Sequence, residues 1–176
     1  MSDRDKPECA GPVKRRDIAE RIGKFGWTTL GIFGGPENPP FGYTIGLTEK
    51  GLPELVLLGA PIQHVQDLVN AVVERALKGE ATEGTFLEDI LANDLRVAIV
   101  RAPKERANSE FLIQAEHYYG REVEVLQIVL PDRKGLFPWD DGYDERLRAA
   151  QEAIGPLREP PVPEDQQPRP PGMSLH

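Results

Sequence analysis

Residues 27–47 read WTTLGIFGGPENPPFGYTIGL, and this stretch decides what kind of sheet the sequence predicts. Its two ends, 27–33 and 41–47, are runs of strand length, and the segment between them is rich in glycine and proline. Because proline has no N–H to donate to a strand ladder, the middle segment is expected to connect two strands. A third apolar run, at 55–58, follows after a turn. Successive strands with a link short enough for a hairpin predict antiparallel pairing.

The rest of the sequence alternates between helical and strand patterns. Residues 62–77 carry apolar side chains at spacings of three and four, which is typical of a helix with one buried face. Residues 95–100 and 123–130 are predicted to be strands. The sequence therefore predicts an α+β fold with a mixed, mainly antiparallel sheet, with barrel-like closure as one option, packed with about three to four helices.

Two shorter helices are expected later in the chain. The first covers 111–119, with the side chain of Asn108 or Ser109 as its N-terminal cap. The second covers 144–154, with Asp141 as its expected cap.

The composition predicts one domain between two tails. Residues 1–12 are polar and are interpreted as a flexible N-terminal arm, and residues 13–154 are expected to form a single α+β domain. Residues 155–176 contain seven prolines and few apolar side chains. Such a segment buries too little apolar surface to offset its ordering entropy, so we predict a Pro-rich disordered tail, with a docking segment for a partner as the alternative.

Charge and cysteine content restrict the class of partner and the compartment. The formal net charge is −8, whereas a nucleic-acid-binding protein normally presents a basic patch to phosphates. The single cysteine, Cys9, allows no internal disulfide, which suits a reducing cytosol. Neither a signal-peptide core at the N-terminus nor an apolar run of bilayer length is present. We therefore expect a soluble cytoplasmic protein without nucleic-acid or membrane partners.

The strand at 41–47 has one face made of small residues. Side chains alternate between the two faces of a strand, so Gly42, Thr44 and Gly46 share a face. Close packing against this face is the favoured interpretation, with the helix at 62–77 as the expected neighbour. The functional alternative is a ligand, such as a planar ring system or a phosphate, held by Thr44 and peptide groups.

Two isolated polar residues are weaker site candidates. Gln127 lies on an otherwise apolar strand face, and a buried amide must find partners or cost roughly 1–3 kcal/mol. A bond to nearby protein groups is favoured over a role in lining a pocket. His117 is a weak general-base candidate on a predicted helix. No motif with metal-ligand spacing exists, so no metal site is expected.

The loop at 131–143 concentrates carboxylates and aromatic side chains. Trp139, Asp140 and Asp141 are candidate contact residues for a partner. The spacing matches no calcium loop, and helix capping by Asp141 explains part of the pattern. Core burial is the usual reason for a tryptophan in such a loop, so Trp139 is predicted to be largely buried.

Four motifs in sequence order resemble the bacterial family known as domain of unknown function 4262. They are GW at 26–27, PPFGYTIGL at 39–47, PEL at 53–55 and LQIVLPDRKGLFPWD at 126–140. The resemblance implies a soluble bacterial protein. It carries over no activity and no catalytic residues.

Two functions remain open after the sequence is read. The first is a non-catalytic module that binds a protein partner or a small ligand, because no catalytic constellation is apparent. The second is a flavin- or nucleotide-dependent enzyme that uses the face of Gly42, Thr44 and Gly46. The sequence specifies neither the cofactor nor the partner, and it leaves the oligomeric state open.

Overall fold

The fold is built on one open sheet of six strands. The structure is a computed structural model that describes residues 15–36 and 38–161. The strands are β1 (Thr28–Ile32), β2 (Phe41–Ile45), β3 (Glu54–Leu58), β4 (Phe86–Leu87), β5 (Val97–Arg101) and β6 (Val125–Val129).

The strand order in the sheet is β1-β2-β3-β6-β5-β4. The pairs β1–β2, β2–β3, β4–β5 and β5–β6 are antiparallel, and β3–β6 is parallel. The prediction of a mixed, mainly antiparallel sheet is confirmed. The barrel-like option is wrong, because β1 and β4 form opposite edges and do not pair with each other.

Helices cover both faces of the sheet. They are α1 (Arg15–Phe25), α2 (Ile62–Leu77), α3 (Lys104–Arg106), α4 (Ile113–Tyr119) and α5 (Arg148–Gln151), and a π-helical turn, Ala107–Phe111, continues α3. Short 3₁₀ turns occur at Thr48–Lys50 and Glu145–Leu147. The predicted helix at 62–77 is confirmed. Within the described part of the chain, no helix combines the length and apolar character needed to cross a bilayer.

The core divides between the two faces because strand side chains alternate. On one face, α2 packs its buried stripe, including Val65, Val69 and Val72, against Leu55 and Ile128. On the other face, α1, the π-helical turn and α4 pack against β1, β2 and β3. The near-continuous burial of β3 and β6 follows from their central position.

The predicted caps of the two short helices are wrong. Asn108 is fully buried inside the π-helical turn, where its amide nitrogen donates to the carbonyls of Lys104 (2.7 Å) and Val123 (2.9 Å). It therefore ties this turn to the chain entering β6 instead of capping α4. At the later helix, Asp144 is the cap and accepts from the Arg146 N–H (3.1 Å), whereas Asp141 is exposed.

The packed chain continues slightly past the predicted domain end. Ile154 is fully buried, and Leu157 packs beside Phe137. The backbone N–H of Leu157 donates to Glu152 Oε1 (3.1 Å). The predicted flexible arm at 1–12 and the part of the predicted tail after residue 161 lie outside the described residues.

Candidate functional site

Gly42 is small because α2 packs directly on β2. A β-carbon at this position would lie 2.2 Å from Val65 Cγ1 and 3.2 Å from the Leu30 carbonyl oxygen. The Val65 methyl group leaves no room for a β-carbon, and the contact with the Leu30 oxygen is tight. The close-packing interpretation of this strand face, with the helix at 62–77 as neighbour, is confirmed at Gly42.

Gly46 has a different neighbour from the one expected. It follows the end of β2 with φ +121°, a backbone conformation that favours glycine. A β-carbon there would lie 2.7 Å from Trp27 Cα and 2.8 Å from the Gly26 carbonyl oxygen. The expectation that α2 covers Gly46 is wrong, because the chain turns out of the strand and meets the start of β1. Gly46 thereby fixes the position of the Trp27 backbone.

Thr44 is fully buried, and its hydroxyl is used twice within the protein. The Leu55 N–H donates to Thr44 Oγ1 (2.9 Å), and Thr44 Oγ1 donates to Glu54 Oε1 (3.0 Å). Gly42 and Gly46 are buried as well. The strand face proposed for a flavin or a nucleotide is therefore occupied by protein atoms at all three positions.

A buried carboxylate organises the turn after β2, and sequence analysis missed it. Glu54 is fully buried. Its Oε1 accepts from Thr44 Oγ1 (3.0 Å) and the Leu47 N–H (3.1 Å). Its Oε2 accepts from the N–H (2.9 Å) and hydroxyl (2.6 Å) of Thr48 and from the Tyr119 hydroxyl (3.3 Å). Burial raises the pKa of Glu54, and the hydrogen bonds from Thr48, Thr44 and Leu47 oppose that rise.

Tyr119 connects this carboxylate to Gly46. The Gly46 N–H donates to the Tyr119 hydroxyl (2.8 Å), and that hydroxyl donates to Glu54. Burial and the nearby Glu54 charge raise the pKa of Tyr119, so the phenol stays protonated. The network holds the turn that positions Gly46 against Trp27.

The remaining single-residue candidates lie apart from this turn. Gln127 is buried, and its Nε2 donates to the Gln151 carbonyl oxygen (2.7 Å), as the favoured interpretation expected. His117 is exposed on α4. Among the described residues, no three His, Cys, Asp or Glu side chains are grouped to hold a metal ion.

The loop at 131–143 uses its carboxylates to hold its own backbone. Asp132 is buried, with Oδ1 accepting from the N–H groups of Lys134 and Leu136 (both 2.9 Å). Asp140 Oδ2 accepts from the Phe137 N–H (2.9 Å). Asp141 is exposed.

Trp139 is less buried than predicted. It is only partly covered and stacks on Phe137, with ring centroids 5.0 Å apart. Phe137, with 3% exposure, is the residue that anchors the loop on the core.

Phe137→Ala is expected to destabilise the protein more than Trp139→Ala does. Truncating a buried phenylalanine costs about 3–5 kcal/mol. Loss of the partly exposed Trp139 removes a stacking contact and some buried area, about 1–2 kcal/mol. Denaturant unfolding of both variants measures the difference. An equal or larger loss for Trp139→Ala would show that the tryptophan is the anchor.

An open cleft lies between α1, the start of β1 and α2, about 540 Å³ in volume. We call it the α1–α2 cleft. Its lining residues are Arg21, Phe25, Trp27, Thr28, Thr29, Gln66 and Asn70. Ligand pockets commonly measure about 300–1,000 Å³, so the cleft has room for a small molecule. None of the candidate site residues from the sequence lines it.

Local structure explains how the cleft is held open. Gln66 and Asn70 are four residues apart on α2 and therefore share a helix face. Thr29 Oγ1 donates to Asn70 Oδ1 (3.0 Å), which links β1 to α2 along the cleft. Phe25 ends α1 and is 67% exposed. Trp27 follows after Gly26 and is held by its contact with Gly46.

Sequence analysis missed the cleft because its residues come from three separate segments. Two local signals were present, and the first was the pair of aromatic residues, Phe25 and Trp27, on either side of Gly26. The second signal was the polar pair Gln66 and Asn70 at helical spacing. Neither signal indicates a site until the two segments are placed side by side.

The fold and the cleft define an α+β protein with an open six-stranded sheet and a mixed aromatic and polar cleft beside the β1 edge. Residues 21–144, more than half of the chain, match the family model described as "Domain of unknown function (DUF4262)". The chain therefore belongs to this family, as its motifs predicted. All lining residues of the cleft lie within the matched range. No match was found among curated proteins or among solved structures.

Proposed function

We propose that this protein is a non-catalytic binding module that takes a small ligand in the α1–α2 cleft. The observation that carries the proposal is the cleft itself. Two aromatic rings, one guanidinium, two amides and two hydroxyls surround a volume of about 540 Å³. A few polar groups that orient a ligand beside apolar surface are typical of small-molecule sites. The cysteine content and charge support a soluble protein of the cytoplasm.

The residues that line the cleft favour binding of a small ligand over catalysis. Within residues 15–36 and 38–161, no histidine, cysteine, aspartate or glutamate lines the cleft, so the described lining supplies no general base of the usual kinds. The alternative of a flavin- or nucleotide-dependent enzyme requires open surface at Gly42, Thr44 and Gly46. All three are buried, so binding in the α1–α2 cleft is the better-supported function.

A fragment screen observed by NMR tests this proposal. Uniformly ¹⁵N-labelled protein is titrated with a set of small fragments that includes acids, bases and neutral molecules. We expect binding fragments to shift the Trp27 indole N–H and the side-chain amides of Gln66 and Asn70. Fragments that shift only signals outside the cleft, or a set that shifts nothing, would contradict the proposal.

A matched pair of variants on α2 provides the control. Gln66→Phe places a ring in the cleft and is expected to abolish fragment binding. Gln63→Phe makes the same substitution one turn earlier, at an exposed position that does not line the cleft. It should bind as the parent does. Equal loss of binding in both variants would show that a general change in α2, not the cleft, is responsible.

A further inference from the structure

We infer that the ligand of the α1–α2 cleft is a small planar aromatic molecule bearing a carboxylate or a phosphate group. This inference rests on the proposed function and adds the chemical class of the ligand. It is carried by the charge of the lining, by its aromatic surface and by its hydrogen-bond donors.

Arg21 gives the cleft its charge. Among the described residues, it is the only charged residue that lines the cleft. Within residues 15–36 and 38–161, Arg21 forms no ion pair. The side chain of Lys50 lies against Gly26, next to Trp27, and adds a second positive charge nearby. A guanidinium presents a planar fork of donors that matches carboxylate and phosphate oxygens.

Trp27 and Phe25 provide the surface for a ring. The Trp27 backbone is fixed because Gly46 packs against its Cα. Phe25 lines the cleft and is 67% exposed overall, and a ring packed against it would remove apolar area from water. Aromatic pairs in stacked or edge-to-face contact contribute about 0.5–1.5 kcal/mol beyond the area they bury. A planar aromatic ligand uses both residues.

The polar lining favours a ligand that accepts hydrogen bonds. Asn70 Oδ1 already accepts from Thr29 Oγ1, and within the part of the chain that the structure describes the Asn70 amide nitrogen, which can only donate, has no hydrogen-bond partner. Arg21 carries donors alone. An oxyanion supplies several acceptors in one group and therefore matches both residues.

Because the chain as a whole is negatively charged, any preference for an anionic ligand must arise from residues within the cleft. With a formal net charge of −8, the protein as a whole repels anions. An aromatic anion that binds must therefore gain its affinity from Arg21 and the rings around it. Non-specific accumulation of an anion on such a surface is unfavourable.

Binding of matched probes tests the inference. The probes are 1-naphthoate, 1-naphthyl phosphate, the neutral 1-naphthylmethanol, 1-naphthylmethylamine and inorganic phosphate. The Trp27 indole N–H signal, assigned by its loss in Trp27→Phe, reports binding. We expect one or both naphthyl anions to bind at least tenfold more tightly than the alcohol, the amine or inorganic phosphate. The comparison of the two anions distinguishes a carboxylate ligand from a phosphate ligand.

Two variants of α1 distinguish the effect of the Arg21 charge in the cleft from the effect of the net charge of the protein. Arg21→Gln is expected to weaken binding of the preferred naphthyl anion at least tenfold and to leave the alcohol unchanged. Arg16→Gln removes the same charge at an exposed position of the same helix that does not line the cleft, and it should retain parental affinity. Equal weakening by both variants would overturn the role of Arg21.

The outcomes distinguish a failure of ligand class from a failure of the proposed function. Preferential binding of the alcohol or the amine in the cleft overturns the anionic class and leaves ligand binding in place. Binding of inorganic phosphate as tight as that of the naphthyl anions overturns the aromatic requirement. If no naphthyl probe binds but other fragments shift the cleft signals, only the ligand class is wrong. If no molecule binds there at all, both proposals fail.

Discussion

Gly42→Ala is expected to destabilise the protein by about 3 kcal/mol, the upper part of the range for overpacking. The new methyl group would lie 2.2 Å from Val65 Cγ1. Valine in a helix has one strongly preferred side-chain rotamer, so Val65 cannot turn away and α2 must shift. Replacing a strand glycine by alanine would otherwise be favourable, since it restricts the unfolded chain. The sign of the change in the free energy of unfolding therefore distinguishes the two effects.

A second substitution tests whether Val65 is the cause. Val65→Ala removes the clashing Cγ1, so the double variant Gly42→Ala, Val65→Ala should be more stable than the two single changes predict by addition. Residues in direct contact show coupling of about 0.5–3 kcal/mol. Gly23→Ala in α1 is the matched control, because a β-carbon there meets nothing within 4 Å. It should stabilise the protein by up to about 1 kcal/mol. Additive effects of the Gly42 and Val65 changes would contradict the packing argument.

The elements that the sequence predicted correctly are those with a long periodic pattern. The stripe on α2 and the apolar runs of the central strands reflect burial against a large neighbouring surface, which leaves a regular record in sequence. The short helices near Asn108 and Asp144 were placed less well. Their ends are decided by side chains that bond distant backbone, as Asn108 does to Val123, and local propensity does not encode such partners.

The site was harder to predict than the fold for a related reason. The small residues at 42 and 46 correctly indicated close approach, but only at Gly42 was the neighbour the expected helix. The positive φ of Gly46 turns the chain out of the strand, so the alternation rule no longer applies there. Glu54 also gave no signal, because a charged residue at the first position of a strand usually faces water. Its burial becomes evident only when the turn at 47–48 folds back over it.

Glu54→Gln is expected to destabilise the protein by roughly 2–4 kcal/mol, although the amide has nearly the same shape as the carboxylate. Each carboxylate oxygen accepts from one backbone N–H, Leu47 on Oε1 and Thr48 on Oε2. Whichever oxygen becomes the NH₂ group, a donor then faces a backbone donor that cannot rotate away. One buried N–H loses its acceptor, and the remaining bonds lose the strength that the negative charge gives them. Denaturant unfolding measures the loss.

The position of Trp27 provides the second measurement, because Gly46, at one end of the turn that Glu54 holds, packs on Trp27. Loss of the Glu54 bonds should loosen Gly46 and shift the Trp27 indole N–H signal in the folded protein. Glu49→Gln is the matched control, since Glu49 is exposed and, among the described residues, accepts only from the Tyr118 hydroxyl (3.2 Å). An exposed change of this kind typically costs less than about 0.5 kcal/mol. A Glu54→Gln variant as stable as Glu49→Gln, with an unshifted Trp27 signal, would show that the carboxylate does not hold this turn. In that case the Gly46 contact alone would have to position Trp27 in the cleft.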